Sequence, residues 1–265
     1  MLRGPSMRER PSQADGWLER LATSFGARPV DPGEKGRLVG EVFARVASRY
    51  DLMNDLMSLG VHRLWKEALV DWLYPRPGLE LLDLAGGTGD IAFRVLERLE
   101  GRARVTVLDL SPAMLTVGRD RALDLGWLAE IRWVAGDAQR LPFPDRSFSA
   151  VTIAFGIRNV PRIDRALGEI RRVLRPGGRF LCLEFSRLRI PPLEPLYELY
   201  GDTVLPLLGR FVAGDEASYR YLVESIRRFP DQETFARAIA EAGFARVSWR
   251  NVSGGIAAIH SGWRL

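Results

Sequence analysis

The 265-residue chain is poor in cysteine and histidine, and almost devoid of lysine. A single cysteine, Cys182, excludes an internal disulfide and a cysteine-rich zinc site. It sits in the apolar run Arg179-Phe-Leu-Cys-Leu-Glu-Phe185, where a small buried side chain is the expected role. Two scattered histidines, His62 and His260, do not make a metal centre, so no metal is expected. No uninterrupted apolar stretch is long enough to span a bilayer. The N-terminus, Met1-Leu-Arg-Gly-Pro-Ser-Met-Arg-Glu-Arg10, lacks the apolar core of a secretory signal. Glu9, Asp15 and Glu19 argue against a transit peptide. A cytoplasmic protein is expected, with loose peripheral contact at the inner face of the cell membrane left open.

Among 38 basic residues only Lys35 and Lys66 are lysines, so the positive charge is almost wholly arginine. A net charge of +5 and a pI near 9.8 invite an acidic partner. No basic run is interleaved with aromatics, however, and no nucleic-acid surface is read from it. The 46% hydrophobic content supports a large core, and the length suits one α/β domain with decorations.

Residues 1–36 are rich in Pro, Gly, Ser and charge and read as a flexible tail with one short helix near Trp17–Ser24. The domain proper is expected over 37–265. Val42, Phe43, Val46 and Ala47 form a helical stripe, and a second helix runs to about Tyr74, closed by Pro75-Arg-Pro-Gly78. Strands are predicted over Leu79–Leu84, Arg104–Leu110, Glu130–Ala135, Phe148–Phe155 and Arg179–Phe185. Helices alternate with them over Ile91–Leu99, Pro112–Leu125 with Ser111 as N-cap, and Ile163–Leu174, stopped by Pro176-Gly-Gly178. That rhythm implies a parallel sheet with helices on both faces. It breaks over 188–229, an apolar, proline-punctuated insertion read as a lid. A last helix ends at Gly243, and Ala245–Val252 and Gly255–Trp263 form an antiparallel pair.

The organising stretch is Leu79-Glu-Leu-Leu-Asp-Leu-Ala-Gly-Gly-Thr-Gly-Asp90, a strand, a glycine turn and the start of a helix. Gly87 and Gly89 can take positive φ and let a ligand lie against the backbone. The helix N-terminus offers unpaired N–H groups beside it. Ligands of such sheets sit at the carboxyl ends of strands, where Asp83, Asp109, Asp137 and Glu184 fall. Gly87-Thr-Gly-Asp-Ile-Ala92 also satisfies a loose dinucleotide pattern, so the turn alone leaves NAD and S-adenosylmethionine open. Asp109 is placed for ribose hydroxyls of either cofactor, and Asp137 with Ala138 suits an adenine edge. Thr88 offers a hydroxyl over the cofactor's tail, and Ala154, at the fourth strand's end, completes the cofactor set. For each acid the plain alternative is an N-cap or a surface charge. Five parallel strands and a terminal hairpin favour a methyltransferase-type sheet over a dinucleotide-binding one.

Asp83-x-Ala-Gly-Gly-Thr-Gly-Asp90 resembles the first motif of class I S-adenosylmethionine-dependent methyltransferases, with Ala85 at the family's usual first glycine. Tyr50-Asp-x-Met-Asn-x-x-Met-Ser-x-Gly-x-His62-Arg63-x-Trp65 is similar to the signature of the ubiquinone/menaquinone biosynthesis C-methyltransferases. So are Arg172-Val-Leu-Arg-Pro-Gly-Gly-Arg-Phe-x-x-x-Glu184-Phe-Ser186 and Phe155-Gly-Ile-Arg-Asn159. The likeness runs from about Val42 to Trp263. It implies a Rossmann-like seven-stranded sheet, mostly parallel with an antiparallel C-terminal strand and helices on both faces. It also implies C-methylation of a polyprenylated benzoquinol, with demethylmenaquinol as a second acceptor.

A neutral quinol carbon is a poor nucleophile, so a phenol with a pKa near 10 must lose its proton or have it taken as the bond forms. Arg158 is the expected positive charge favouring the phenolate, with Asn159 and Tyr50 orienting the ring oxygens. The alternative for Arg158 is a structural ion pair, and for Tyr50 a packing role. His62 reads either as a general base or as a residue holding two helices together, and His260 as structural. The leucine-rich 188–229 insertion is the candidate channel for a polyprenyl tail. Another phenolic or lipid acceptor, a non-catalytic S-adenosylmethionine-binding scaffold, and a homodimer or a larger quinone-making complex all stay open.

Overall fold

The seven strands read from hydropathy close into one sheet in the computed structural model, which describes residues 13–47, 54–55, 58, 60–187 and 216–265. They are β3 (Leu79–Leu84), β4 (Ala103–Asp109), β5 (Ile131–Ala135), β6 (Phe148–Ala154), β7 (Leu174–Phe185), β8 (Ala245–Val252) and β9 (Ala257–Trp263). Two short strands before them, β1 (Ser24–Phe25) and β2 (Arg28–Pro29), form a separate antiparallel pair. The sheet order is β5-β4-β3-β6-β7-β9-β8. Strands β3 to β7 run parallel, and β9 is antiparallel to both neighbours. The expected mostly parallel sheet with an antiparallel C-terminal strand is what forms. The last strand inserts between β7 and β8 rather than joining at the edge.

Parallel strands must be covered on both faces, which is why β3 and β7 are apolar runs rather than alternating ones. In β3, Leu81 packs into one core cluster while Leu82 and Leu84 pack into the other. The first cluster holds α3 (His62–Leu73) and α4 (Asp90–Leu99) to the sheet, through Leu69, Val70, Leu96 and Leu99. The second holds α6 (Ile163–Val173) and α8 (Gln232–Glu241), through Ile163, Ile170, Phe235 and Ile239. Cys182 is buried in β7 as expected. Between β4 and β5, α5 (Pro112–Asp124) starts at Ser111, whose hydroxyl accepts from the Met114 N–H at 3.4 Å.

Two expectations need correction. Helix α1 (Gln13–Ala22) and the first turn of α2 (Pro32–Val46) fall within the stretch read as a tail. Trp17 and Leu21 are buried, and Trp17 meets Phe229 edge-on at 6.3 Å. A few well-spaced apolar residues anchor this segment despite its polar composition. Second, β7 begins at Leu174, before the Pro-Gly-Gly stop. Pairing with β6 jumps from Phe148↔Leu174 to Ala150↔Arg179, so the intervening residues bulge out where Pro176 could not donate. The lid expected over 188–229 lies outside the described residues up to 215. Its end is α7 (Glu216–Arg228).

The strand order reverses between β3 and β6. Open α/β sheets bind ligands at that crevice, beyond the carboxyl ends of the strands.

Candidate functional site

A cavity of about 480 Å³ opens at the switch point, within the range of small-molecule sites. Its floor is the glycine turn after β3 together with the ends of β4, β5 and β6, and α2 forms its roof. The turn is tight because its backbone is left-handed at Ala85, Gly87 and Gly89 (φ 49°, 54° and 82°). A Cβ at Gly87 would stand 2.9 Å from the Met114 methyl, and one at Gly89 would stand 2.7 Å from Trp133. Ala85 bears the strain that the family's usual glycine would avoid. Phe155 at the end of β6 also has positive φ, at 58°, and strained backbone of this kind concentrates at functional sites.

Asp109, at the end of β4, faces this turn. Its Oδ2 accepts the Gly87 N–H at 2.9 Å and its Oδ1 the Ser111 N–H at 2.8 Å. Burial raises its carboxyl pKa, while the N–H groups of Ser111, Gly87 and Leu110 act against that rise. A carboxylate has about four lone-pair sites, so capacity remains for a ligand hydroxyl. Asp137 lines the cavity beside Ala138 and accepts the Gln139 backbone N–H at 2.9 Å. The structure thus brings Gly87, Asp109, Asp137 and Ala138 into one cavity.

Other expected cofactor residues stand off it. Gly89 caps α4 rather than lining the cavity. Thr88 is buried and accepts from the Arg121 guanidinium at 3.1 Å, turned towards α5. Ala154 ends β6 just before the lining residues Phe155 and Gly156. Asp83 is sealed beneath the turn, where Thr152 donates to its Oδ1 at 2.9 Å. Burial pushes its carboxyl up from 3.8 to about 7. Below the lower value both folded and unfolded chains hold this proton. Between the two values only the folded chain does, so stability falls as pH rises through that window. A shift of about three units corresponds to roughly 4 kcal/mol. Urea unfolding at pH 5 and pH 8 spans about two of those units and is expected to show a loss of roughly 2.7 kcal/mol in the parent protein and a much flatter profile in Asp83→Asn.

On the acceptor side, Asn159 lines the cavity, carried by a 3₁₀ turn over Ile157–Asn159. Its Oδ1 accepts the Tyr221 hydroxyl at 2.8 Å. Arg158 does not reach the cavity lining. Only 3% exposed, it donates through Nη1 to Glu184 Oε1 at 2.7 Å and to the Phe155 carbonyl at 2.6 Å. The proposed phenolate-favouring charge is therefore committed to a buried ion pair, and the carboxylate of Glu184 is consumed in the same pair. A buried guanidinium needs that partner to offset its desolvation. His62 likewise stands away from the cavity. Its Nε2 bonds Asp55 Oδ1 at 2.9 Å, and Asp55 also accepts from Arg63. Burial lowers the His62 pKa. The contact ties the start of α3 to Asp55 and leaves the imidazole off the cavity lining. Tyr50 lies outside the described residues. His260 is structural: buried in β9, it bonds the Gln232 carbonyl at 2.9 Å and is pushed down to about 4 by burial.

Two features escaped sequence reasoning. The face of α2 from Pro32 to Phe43 roofs the cavity, with Gly33, Gly36 and Gly40 among the lining residues. Both lysines are buried. Lys35, 1% exposed, donates to the Leu21 carbonyl at 2.7 Å and the Arg158 carbonyl at 3.4 Å, and burial lowers it to about 7. Lys66 pairs with Asp90 at 2.7 Å, in the first turn of α4. Their rarity was the available signal. In a chain that otherwise uses arginine, both lysines stand at buried positions.

Known proteins resemble this chain in sequence and in fold. The model of the ubiE/COQ5 methyltransferase family matches residues 32–264. The ubiquinone/menaquinone biosynthesis C-methyltransferase UbiE of Paracoccus denitrificans is 62% identical over 248 residues, covering 93% of this chain and 98% of that one. The protein of the same name from Brucella abortus is 56% identical over 254 residues, covering 95% of this chain and 93% of that one. Among solved structures, the cyclase SpnF superposes with a TM-score of 0.65 at 18% identity, covering 85% of this chain and 94% of its own. A SAM-dependent methyltransferase from Aquifex aeolicus superposes with 0.59 at 15% identity, covering 80% and 97%. These two likenesses concern the fold, since one fold hosts unrelated reactions. The extent of the family match, including the glycine turn and both ends of the sheet, shows that this chain belongs to the ubiE/COQ5 methyltransferase family.

Proposed function

We propose that this chain is an S-adenosylmethionine-dependent C-methyltransferase acting on a ring carbon of a polyprenylated benzoquinol in ubiquinone biosynthesis, and on demethylmenaquinol. The observation that carries the reading is the shared cavity: Asp109, at the donor turn, and Asn159, after β6, line one space at the switch point. S-adenosylmethionine supplies an electrophilic methyl group on a sulfonium. The residues fit such a donor, which needs acceptors for a ribose diol rather than a phosphate cradle. Asp109 has the spare lone pairs for the hydroxyls, Asp137 and Ala138 would hold the adenine edge, and Gly87 leaves room for close approach. Asn159 would orient a ring oxygen, and Tyr50 remains a proposed partner in that task.

The names of the relatives from Paracoccus denitrificans and Brucella abortus support the quinol acceptor. A polyprenyl tail partitions into lipid, so the enzyme meets its acceptor at a membrane surface. No helix among the described residues is long and apolar enough to cross a membrane, which makes peripheral contact the proposed mode. The 188–229 insertion is the proposed cover for the tail.

The test uses purified protein, a labelled methyl donor and a short-chain demethyl quinol. Label in the ring carbon is expected, and calorimetry should show binding of S-adenosylmethionine in preference to NAD. Donor binding without ring label would leave the scaffold reading standing instead.

A further inference from the structure

Tyr221 is a buried tyrosine that the reading above does not use. It lies on α7, 5% exposed, with its hydroxyl 2.8 Å from the Asn159 carboxamide oxygen. An amide has two opposite ends: the oxygen accepts and the nitrogen donates. A buried hydroxyl has one proton, and leaving it unbonded is costly. Among the described residues, Asn159 Oδ1 is the acceptor recorded for this hydroxyl. That contact assigns the oxygen end of the amide to Tyr221 and leaves the Nδ2 hydrogens as the end available to a ligand.

The pair is held from several sides. The Tyr221 ring stacks on Phe25 with centroids 4.2 Å apart and planes 16° apart, and packs with Val39 and Val42 of α2. The turn bearing Asn159 is pinned by Lys35 Nζ on the Arg158 carbonyl and by the Arg158–Glu184 pair. Burial also holds the Tyr221 hydroxyl above the usual phenol range, so it keeps its proton.

We propose that Tyr221 is a positioning residue: it fixes the Asn159 carboxamide so that its N–H donors serve the ring oxygen of the acceptor as that oxygen gains negative charge. This rests on the quinol-methylating reading of the cavity. A preorganised donor at a developing oxyanion is worth roughly 10²–10³ in rate when removed. A residue that only aims the donor should cost less.

Tyr221→Phe removes the hydroxyl and keeps the ring. It is expected to lower kcat roughly tenfold, with donor affinity by calorimetry unchanged, against roughly 100-fold for Asn159→Ala. In Tyr221→Phe/Asn159→Ala, kcat should match Asn159→Ala alone, because the tyrosine acts through the amide. A second readout needs no turnover. A prenylated 4-nitrophenol is expected to bind with a lowered phenol pKa, read from its phenolate absorbance, and both single variants should lose most of that shift. Wild-type kcat and a fully retained probe shift in Tyr221→Phe, or losses that add fully in the double variant, would overturn the proposal. So would a fall in donor affinity equal to the fall in kcat, which marks a merely structural tyrosine. Should the parent protein shift the probe through Tyr221 yet never methylate the quinol, the quinol reading fails and the positioning role stands.

Discussion

Arg158→Ala is expected to lower the unfolding free energy by about 3–5 kcal/mol, because it strands the Glu184 carboxylate in the core. Glu184 is 1% exposed, and its carboxyl also accepts the Phe185 N–H at 2.9 Å. Burial raises its pKa even with the guanidinium present. Without Arg158 the protonated form is favoured further, so the destabilisation should be smaller at pH 5 than at pH 8. The sign follows from linkage: an acid whose folded pKa is raised loses stability as pH climbs towards that value. Arg158→Met/Glu184→Gln is the informative control. It removes both charges, keeps an acceptor for the Phe185 N–H, and is expected to recover most of the loss. Urea unfolding measures all three proteins. Equal stability of Arg158→Ala and the parent would mean that the ion pair is not what holds this turn.

Asp109→Ala should abolish measurable donor binding at concentrations that saturate the parent protein. Hydrogen bonds to a charged acceptor contribute about 1.5–3 kcal/mol each, so losing two ribose contacts weakens binding roughly 10²-fold or more. The variant also deprives the Gly87 and Ser111 N–H groups of their acceptor, loosening the turn that shapes the donor site. Asp109→Asn retains an acceptor oxygen and should keep part of the affinity. Calorimetry with S-adenosylmethionine discriminates these. Parent-like affinity in Asp109→Ala would move the ribose site elsewhere in the cavity.

The two variants mark where reading the chain works and where it stops. Asp109 was legible because the chemistry is local: an apolar run ends in an acid some twenty residues after a glycine turn, and strand geometry puts both at one edge. Arg158 was also visible, within Phe155-Gly-Ile-Arg-Asn159, but its partner was not. Glu184 is 26 residues away on the next strand, and nothing in the spacing says whether that carboxylate faces the ligand or the guanidinium. Two groups at strand ends look alike in sequence; packing decides which one meets the cavity. The same holds for Lys35, whose acceptors lie 14 and 123 residues away, and for Tyr221, 62 residues from Asn159.

By itself the sequence determined the succession of strands and helices, the glycine turn, the acids at strand ends and the family. Each of these follows from hydrophobic periodicity, backbone sterics or a contiguous motif, and so is written over a few neighbouring residues. Only the tertiary structure decided that β9 inserts between β7 and β8, that α2 roofs the cavity, and that the Arg158 charge is spent on Glu184. It also decided that the Asn159 amide oxygen accepts the hydroxyl of Tyr221 on α7. Those outcomes depend on which distant surfaces bury one another, and a buried charge or amide takes the partner that the packed interior leaves within reach.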